Sequence, residues 1–330
     1  MGAGRRDRPE RLTQVARRPF RFGIQLSNLP VERWAERARE IEALGFSTLF
    51  VPDHFSAALW DPTTMLGGVA AVTKTLNVGT LVYGVDFRHP LVYARQAATL
   101  QVMSGGRHEF GIGAGWMVDD YRWAGLRYDK PSVRIERLDE ALAIVKSMWS
   151  HKKTTFVGSH FNVSEAPLKI AMRTSPKILI GGGGRKLLSV AGRHADIVGI
   201  NPTIPEGRIT AATALDITPA SVRRKVEWVY AAATAAGRDP AAIELSALLF
   251  AAVITDAPAP IREMVAATTG MPVDRVADCP LFLVGSGAQV RDELQARREA
   301  TGVSYVVIQG QEPAQVEQFA KEVVEPLTGA

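Results

Sequence analysis

Phe20-Arg21-Phe22-Gly23-Ile24-Gln25-Leu26-Ser27-Asn28-Leu29-Pro30 begins as a short apolar run and ends on polar residues and a proline, with no glycine-rich turn behind it. A doubly wound dinucleotide-binding sheet places such a turn directly after its first strand. Next comes an amphipathic stretch, Val31 to Leu44, with Trp34, Ala38, Ile41 and Leu44 on one face, and then a second apolar run, Thr48 to Val51. Spacings of three and four make the stretch a helix, and Gly45 stands where a chain usually leaves one.

The alternation continues to the end of the chain. Further runs lie at Leu76 to Val82, His108 to Ile112, Lys177 to Ile180, Asp196 to Ile200, Ile243 to Ile254 and Ser304 to Ile308, with helical stretches such as Val133 to Trp149 between them. Eight strands, each followed by a helix, are the count of a (β/α)8 TIM barrel, so the fold class is α/β with a single barrel domain over residues 20–330. Two connections exceed a normal βα link. These are 150–176, with a hairpin-like Thr154 to Val163 around Gly158-Ser159, and 256–279; both are expected as insertions outside the barrel. Residues 1–19 carry Arg5, Arg6, Arg8, Arg11, Arg17 and Arg18 and form a basic, flexible tail on this reading.

Composition narrows the function classes. With 46% hydrophobic and 22% charged residues, the 330-residue chain is an ordinary globular one. The net charge of +5 is modest, and outside the tail the basic residues interleave with acids along helices, so no nucleic-acid partner is expected. No window of about 18 uncharged apolar residues could span a bilayer, and the tail lacks the apolar core of a secretory signal. A cytoplasmic protein without a membrane partner is expected. The lone Cys279 excludes a disulfide framework and reads as an inert, partly buried thiol. No histidine pair has the His-x-x-x-His spacing of a metal site, so no catalytic metal is expected.

In α/β barrels the chemistry lies at the carboxyl ends of the strands. Asp53-His54 follows the second run and puts a carboxylate beside an imidazole. Histidine exchanges a proton near neutral pH, and a neighbouring acid can hold its tautomer, which makes His54 and Asp53 the candidate catalytic pair. Gly181, Gly182, Gly183 and Gly184 follow the fifth run and open the helix Arg185 to Arg193, where bare backbone and a helix N-terminus suit a phosphate. Gly113-Ala114-Gly115 forms a second narrow shelf. Beside it, the Trp116 ring either covers a planar ligand or plugs the barrel mouth. Arg107, in Gly105-Gly106-Arg107, precedes the fourth run and therefore belongs to the opposite, stabilising face as an ion-pair or capping residue.

The stretch from Ser104-Gly105-Gly106-Arg107 through Phe110-Gly111-Ile112-Gly113-Ala114-Gly115-Trp116, with Arg88-His89-Pro90 and Arg95-Gln96-Ala97-Ala98-Thr99-Leu100 before it, resembles the luciferase-like monooxygenase superfamily. The resemblance runs from about Phe20 to the carboxyl terminus and includes Leu283-Val284-Gly285-Ser286. Pro52-Asp53-His54-Phe55 and the Gly181 run resemble the branch that uses coenzyme F420, an 8-hydroxy-5-deazaflavin. That resemblance implies His54 as proton donor or acceptor, Asp53 near the deazaflavin, and a non-prolyl cis peptide at Leu81-Val82 cradling the ring. It also implies phosphate contacts from Gly181 to Gly184, a supporting contact from Asn201, and a homodimer. In the sugar-phosphate dehydrogenases of this branch an acidic residue follows the Gly-x-Gly shelf, whereas Trp116 stands there, which argues against sugar oxidation. The expected function is an F420-dependent oxidoreductase that moves a hydride between the deazaflavin and an unidentified small organic substrate. The alternatives are an FMN-dependent luciferase-like monooxygenase and, from another class, a non-catalytic cofactor-binding protein.

Overall fold

A computed structural model describes residues 18–56, 60–204, 207, 213, 216–310 and 312–329. All but the last two positions of the basic tail expected over 1–19 lie outside the described residues.

Eight parallel strands form the barrel: β1 (Arg21–Gln25), β2 (Thr48–Val51), β3 (Asn77–Thr80), β4 (His108–Gly113), β5 (Lys177–Gly182), β6 (Ile197–Ile200), β7 (Glu244–Leu249) and β8 (Tyr305–Gln309), and the short strand Tyr83–Gly84 pairs parallel to the end of β4 as a ninth member of the sheet. They neighbour one another in the order β3-β2-β1-β8-β7-β6-β5-β4. Pairing of Val78 with His108 and of Gly79 with Glu109 joins β3 to β4 and closes the barrel. Strands covered on both faces read as continuous apolar runs, and every residue of β2 is buried.

Inside the barrel, Phe50, Leu179, Ile197, Tyr305 and Val307 form a filled layer. A Cβ at Gly79 would lie 2.7 Å from the Phe50 ring, so the large ring on β2 requires the bare backbone on β3. Below this layer Arg21 meets Glu109 at 2.6 Å and Glu244 at 2.7 Å, lies 3.5 Å from the Tyr305 ring centroid, and shares Glu109 with the Tyr305 hydroxyl, which donates at 3.0 Å. Burial works against the Arg21 charge, but Tyr305 and the two carboxylates outweigh it and raise its pKa.

Helices cover the outside of the sheet. Ile41, Leu66, Val69, Val290 and Phe319 pack against the β1, β2 and β8 side, and Leu138, Leu142, Val145, Leu188 and Val229 against the other. At the amino-terminal face, Arg107 donates to the carbonyls of Ser104 (2.7 Å), Ala70 (2.9 Å) and Thr73 (3.1 Å). It thereby satisfies carbonyls at the end of the helix Pro62–Val72, the capping role its position suggested.

Neither long connection adds a strand to the barrel sheet. Lys153–Val157 and Asn162–Pro167 make an antiparallel hairpin of their own, and 256–279 carries the helices Pro258–Thr269 and Val273–Val276. One expectation needs correction. The run Ile243 to Ile254 is two strands, because the chain bends at Phe250, whose N–H turns to Leu281 O at 2.9 Å. Ala251–Ile254 then pairs with Phe282–Gly285 outside the barrel. Cys279 is buried, and burial pushes its thiol upward, away from the reactive thiolate.

Candidate active site

His54 follows β2 by three residues and keeps an exposed edge, with 23% of its side chain accessible. Its Nδ1 lies 2.6 Å from Asp120 Oδ2, and the other oxygen of that carboxylate accepts the Phe55 N–H at 2.9 Å. Asp120 belongs to the helix Val118–Ala124 and is 1% exposed. An ionised carboxylate can only accept, so Nδ1 carries the proton and Nε2 is left with the lone pair that can exchange one. The Trp116 ring stands edge-on to the imidazole with centroids 5.7 Å apart.

Asp53 does not orient His54, contrary to the expectation from their adjacency. Its carboxylate takes two N–H groups of Arg88 at 2.7 and 3.2 Å and the Gly84 N–H at 3.3 Å. Burial pushes this carboxyl above its ordinary value, and the guanidinium and the Gly84 amide offset only part of that rise. The two-pronged contact supplies the charge-assisted hydrogen bonds that hold Asp53 and Arg88 together. Asp53 therefore braces the Gly84 turn beside the site. Sequence reading missed Asp120, although Asp119-Asp120 in the first turn of a helix just past the second glycine shelf was the available signal.

Between β3 and the short strand Tyr83–Gly84 the Leu81–Val82 peptide is cis, at the position the resemblance implied. Gln25 on β1 donates to Leu81 O at 2.6 Å and ties this bulge across the barrel mouth. The neighbouring shelf packs directly against it: a Cβ at Gly113 would come within 2.8 Å of Val82 Cγ2. From behind, the Tyr121 hydroxyl lies where a Cβ on Gly115 would reach, Arg134 donates to the carbonyls of Ala114 and Gly115, and the Tyr128 hydroxyl donates to Trp116 O at 2.8 Å. Bulge and shelf thus form one braced surface beside His54.

The four glycines divide into two kinds. Gly182 and Gly183 are packing positions, since a Cβ would meet Leu187 Cδ2 at 2.3 Å and the Pro202 backbone at 2.3 Å. Gly184 is different. It caps the helix Arg185–His194 without any side-chain cap, and the nearest atom to an added Cβ is the Thr203 methyl, 3.9 Å away. Asn201 lies alongside, its Nδ2 3.1 Å from the Cβ position of Gly181 and its N–H donating to Gly182 O at 2.9 Å. Lys225, 1% exposed, fixes this turn by donating to Asn201 O (2.9 Å) and to Asp216 (2.6 Å), whose carboxylate also accepts the Thr203 N–H at 2.7 Å. Burial lowers the lysine pKa, partly offset by Asp216.

The other histidines have structural partners. His108 is buried with Nδ1 2.9 Å from Val78 O, His89 accepts from the Leu91 N–H at the start of a helix, and His194 lies 2.8 Å from Asp139. Among the described residues no group of three or more His, Cys, Asp or Glu could hold a metal, and no helix is long and apolar enough to cross a membrane. A separate cavity of about 200 Å³, lined by Ile217, Val222, Leu281 and Leu294 among others, does not include His54 or either glycine shelf. No chemistry is assigned to it.

A family model described as luciferase-like monooxygenase matches residues 18–305. The F420-dependent glucose-6-phosphate dehydrogenase of Microbacterium testaceum (strain StLB037) is 32% identical over 187 residues, covering 54% of this chain and 55% of that protein. The F420-dependent hydroxymycolic acid dehydrogenase of Mycobacterium tuberculosis is 27% identical over 264 residues, covering 77% of this chain and 68% of that protein. The chain spans about half the length of the first curated relatives it matches. The structure of the coenzyme F420 dependent tetrahydromethanopterin reductase from Methanopyrus kandleri superposes with a TM-score of 0.76 at 18% identity, over 94% of this chain and 100% of that one, a likeness of fold.

Proposed function

Because the chain belongs to the luciferase-like monooxygenase family, we propose that it is an F420-dependent oxidoreductase, transferring a hydride between the deazaflavin and a small organic substrate. The observation that carries the reading is the His54–Asp120 pair at the barrel mouth, 2.6 Å apart and beside the braced bulge. F420-dependent relatives such as the dehydrogenases of Microbacterium testaceum and Mycobacterium tuberculosis support the choice of cofactor.

The residues present fit such a group. Gly184 leaves open space at a helix start that no side chain caps, where backbone N–H groups and the helix dipole favour a phosphate. Gly181, Gly182, Gly183 and Asn201 would complete that anchor. Leu81, Val82, Gly113, Ala114, Gly115 and Trp116 would hold the ring system, with Trp116 also facing His54. A bound deazaflavin accepts or gives up a hydride at ring carbon five.

The chain supplies the proton chemistry. During oxidation of an alcohol, His54 Nε2 takes the hydroxyl proton while Asp120 stabilises the imidazolium that forms; in reduction the same nitrogen returns it. Asp53 holds the Gly84 turn and acts through Arg88, as a positioning residue. This intact donor pair speaks for catalysis rather than for binding alone.

The test is a titration of the purified protein with F420 and with FMN, followed by absorbance and fluorescence. F420 is expected to bind in the low micromolar range or tighter, on the order of −8 kcal/mol, with FMN weaker. Tight FMN binding without F420 binding would overturn the cofactor assignment.

A further inference from the structure

We propose that Asp86 is a positioning residue of the proton-transfer pair: through the Tyr121 hydroxyl it fixes the helix that carries Asp120, and so keeps the His54 proton on Nδ1. The inference rests on the deazaflavin reading for the reaction it serves and on geometry for the residue itself.

The helix Val118–Ala124 has seven residues and begins without a side-chain cap. A helix that short does not hold its own place, so contacts with the rest of the fold must set its position. Two adjacent buried residues supply them. Asp120 meets His54 Nδ1 at 2.6 Å and the Phe55 N–H at 2.9 Å, both on the loop after β2. One such anchor still lets the helix pivot about it, with the loop following. Tyr121 removes that freedom, because successive side chains on a helix point about 100° apart. Its hydroxyl donates to Asp86 Oδ2 at 2.7 Å, and its buried ring packs on Phe87 and Tyr128 with centroids 5.7 and 4.9 Å away. Burial and the Asp86 charge push the phenol upward, so it stays a donor.

Asp86 is itself held from two sides. The N–H of its neighbour Val85 donates to Gly113 O at 2.9 Å, which ties this segment to the end of β4. Arg137, on the helix Pro131–Ser150, donates to Asp86 Oδ2 at 3.2 Å, places its Nε 2.8 Å from Oδ1, and donates to Asp129 at 2.8 Å. A carboxylate gripped by a guanidinium and a phenol makes a firm point of reference. What it secures is the tautomer. A drift of the helix by roughly 1 Å would leave no hydrogen bond between Asp120 and Nδ1. The proton would then divide between Nδ1 and Nε2, the nitrogen that must be free to accept one.

The test reads His54 in the full chain without cofactor, by heteronuclear NMR of histidine-labelled protein. In the parent, Nδ1 is expected to be protonated and Nε2 not, with a downfield Nδ1–H signal. Tyr121→Phe keeps the ring and removes the hydroxyl. It is expected to speed solvent exchange of that proton roughly threefold to tenfold, the effect of one net hydrogen bond, and to raise the fraction with Nε2 protonated. Asp86→Ala should do the same, while Asp86→Asn, whose amide oxygen still accepts from Tyr121, should fall between it and the parent. Tyr93→Phe is the control, since it removes a buried hydroxyl that bonds Gly84 O on the same segment rather than the helix; the His54 signals should not move. Unless Tyr121→Phe and Asp86→Ala both shift His54 while Tyr93→Phe does not, the proposal is overturned, and if Asp86→Ala does not fold, Asp86→Asn takes its place in that comparison. An Nε2–H tautomer in the parent overturns it as well. The F420 titration is separate: failure to bind F420 removes the deazaflavin reading, while the His54 signals still decide what Asp86 does.

Discussion

A carboxylate 2.6 Å from His54 Nδ1 fixes which nitrogen carries the proton and steadies the charged ring once Nε2 has taken a second one. Replacing Asp120 with Asn keeps the shape but removes the charge. Asp120→Asn is therefore expected to lower kcat by roughly 10² to 10³-fold with F420 affinity little changed, and His54→Ala by roughly 10² to 10⁴-fold. The double variant should be no slower than His54→Ala, because the two groups act as one unit. Asp53→Asn should behave differently, lowering the melting temperature through the half-paired Arg88 and sparing more of kcat. Steady-state kinetics beside thermal melts separate these outcomes, and a folded Asp53→Asn enzyme slower than Asp120→Asn would reverse the assignment of roles. His54 was legible in the sequence because a histidine after a barrel strand is conspicuous. Its true partner was not, because it lies 66 positions away. Adjacency pointed to Asp53, but neighbouring side chains at a strand end face opposite ways.

At the level of elements, the helix Arg185–His194 is where the proposed anchor can be tested without disturbing the fold. An Asp at Gly184 finds open space and an ordinary backbone conformation, and it is a better N-cap than glycine by a few tenths of a kcal/mol. Gly184→Asp is expected to melt no lower than the parent yet to bind F420 roughly ten- to thirtyfold more weakly, since its carboxylate occupies the N–H groups and repels the phosphate. A fluorescence titration reads this directly; a stable variant with unchanged affinity would mean that the cofactor is anchored elsewhere. The same substitution at Gly182 would be uninformative, because it collides with Leu187. The glycine run was visible in the sequence, but not which glycine is free and which are packed, since that depends on Leu187 and Pro202 after folding. Strand boundaries were legible wherever a glycine or polar turn ended the run. The bend at Phe250 was not, because apolar residues continue straight through it.

Stability of the whole molecule carries a signature of the buried His108, whose pKa burial lowers to about 4 from an ordinary 6.5. Between those values the unfolded chain binds a proton at this residue and the folded one does not, so stability is full above about 6.5 and falls as the pH drops towards 4. The loss amounts to at most about 3 kcal/mol. Urea denaturation across this range should show that slope, and His108→Asn, which keeps a donor for Val78 O, should flatten it; an unchanged slope would place the acid sensitivity elsewhere. The eightfold repeat of strand and helix made the barrel legible from the order of residues alone. Its charged floor was hidden, because Arg21 finds Glu109 and Glu244 across 88 and 223 positions, a distance over which local patterns say nothing. That floor and the filled layer above it make the barrel a blind-ended vessel. Whatever enters at the mouth leaves by the same doorway, so departure and arrival form a queue, and a guest that lingers bars the way to its successor.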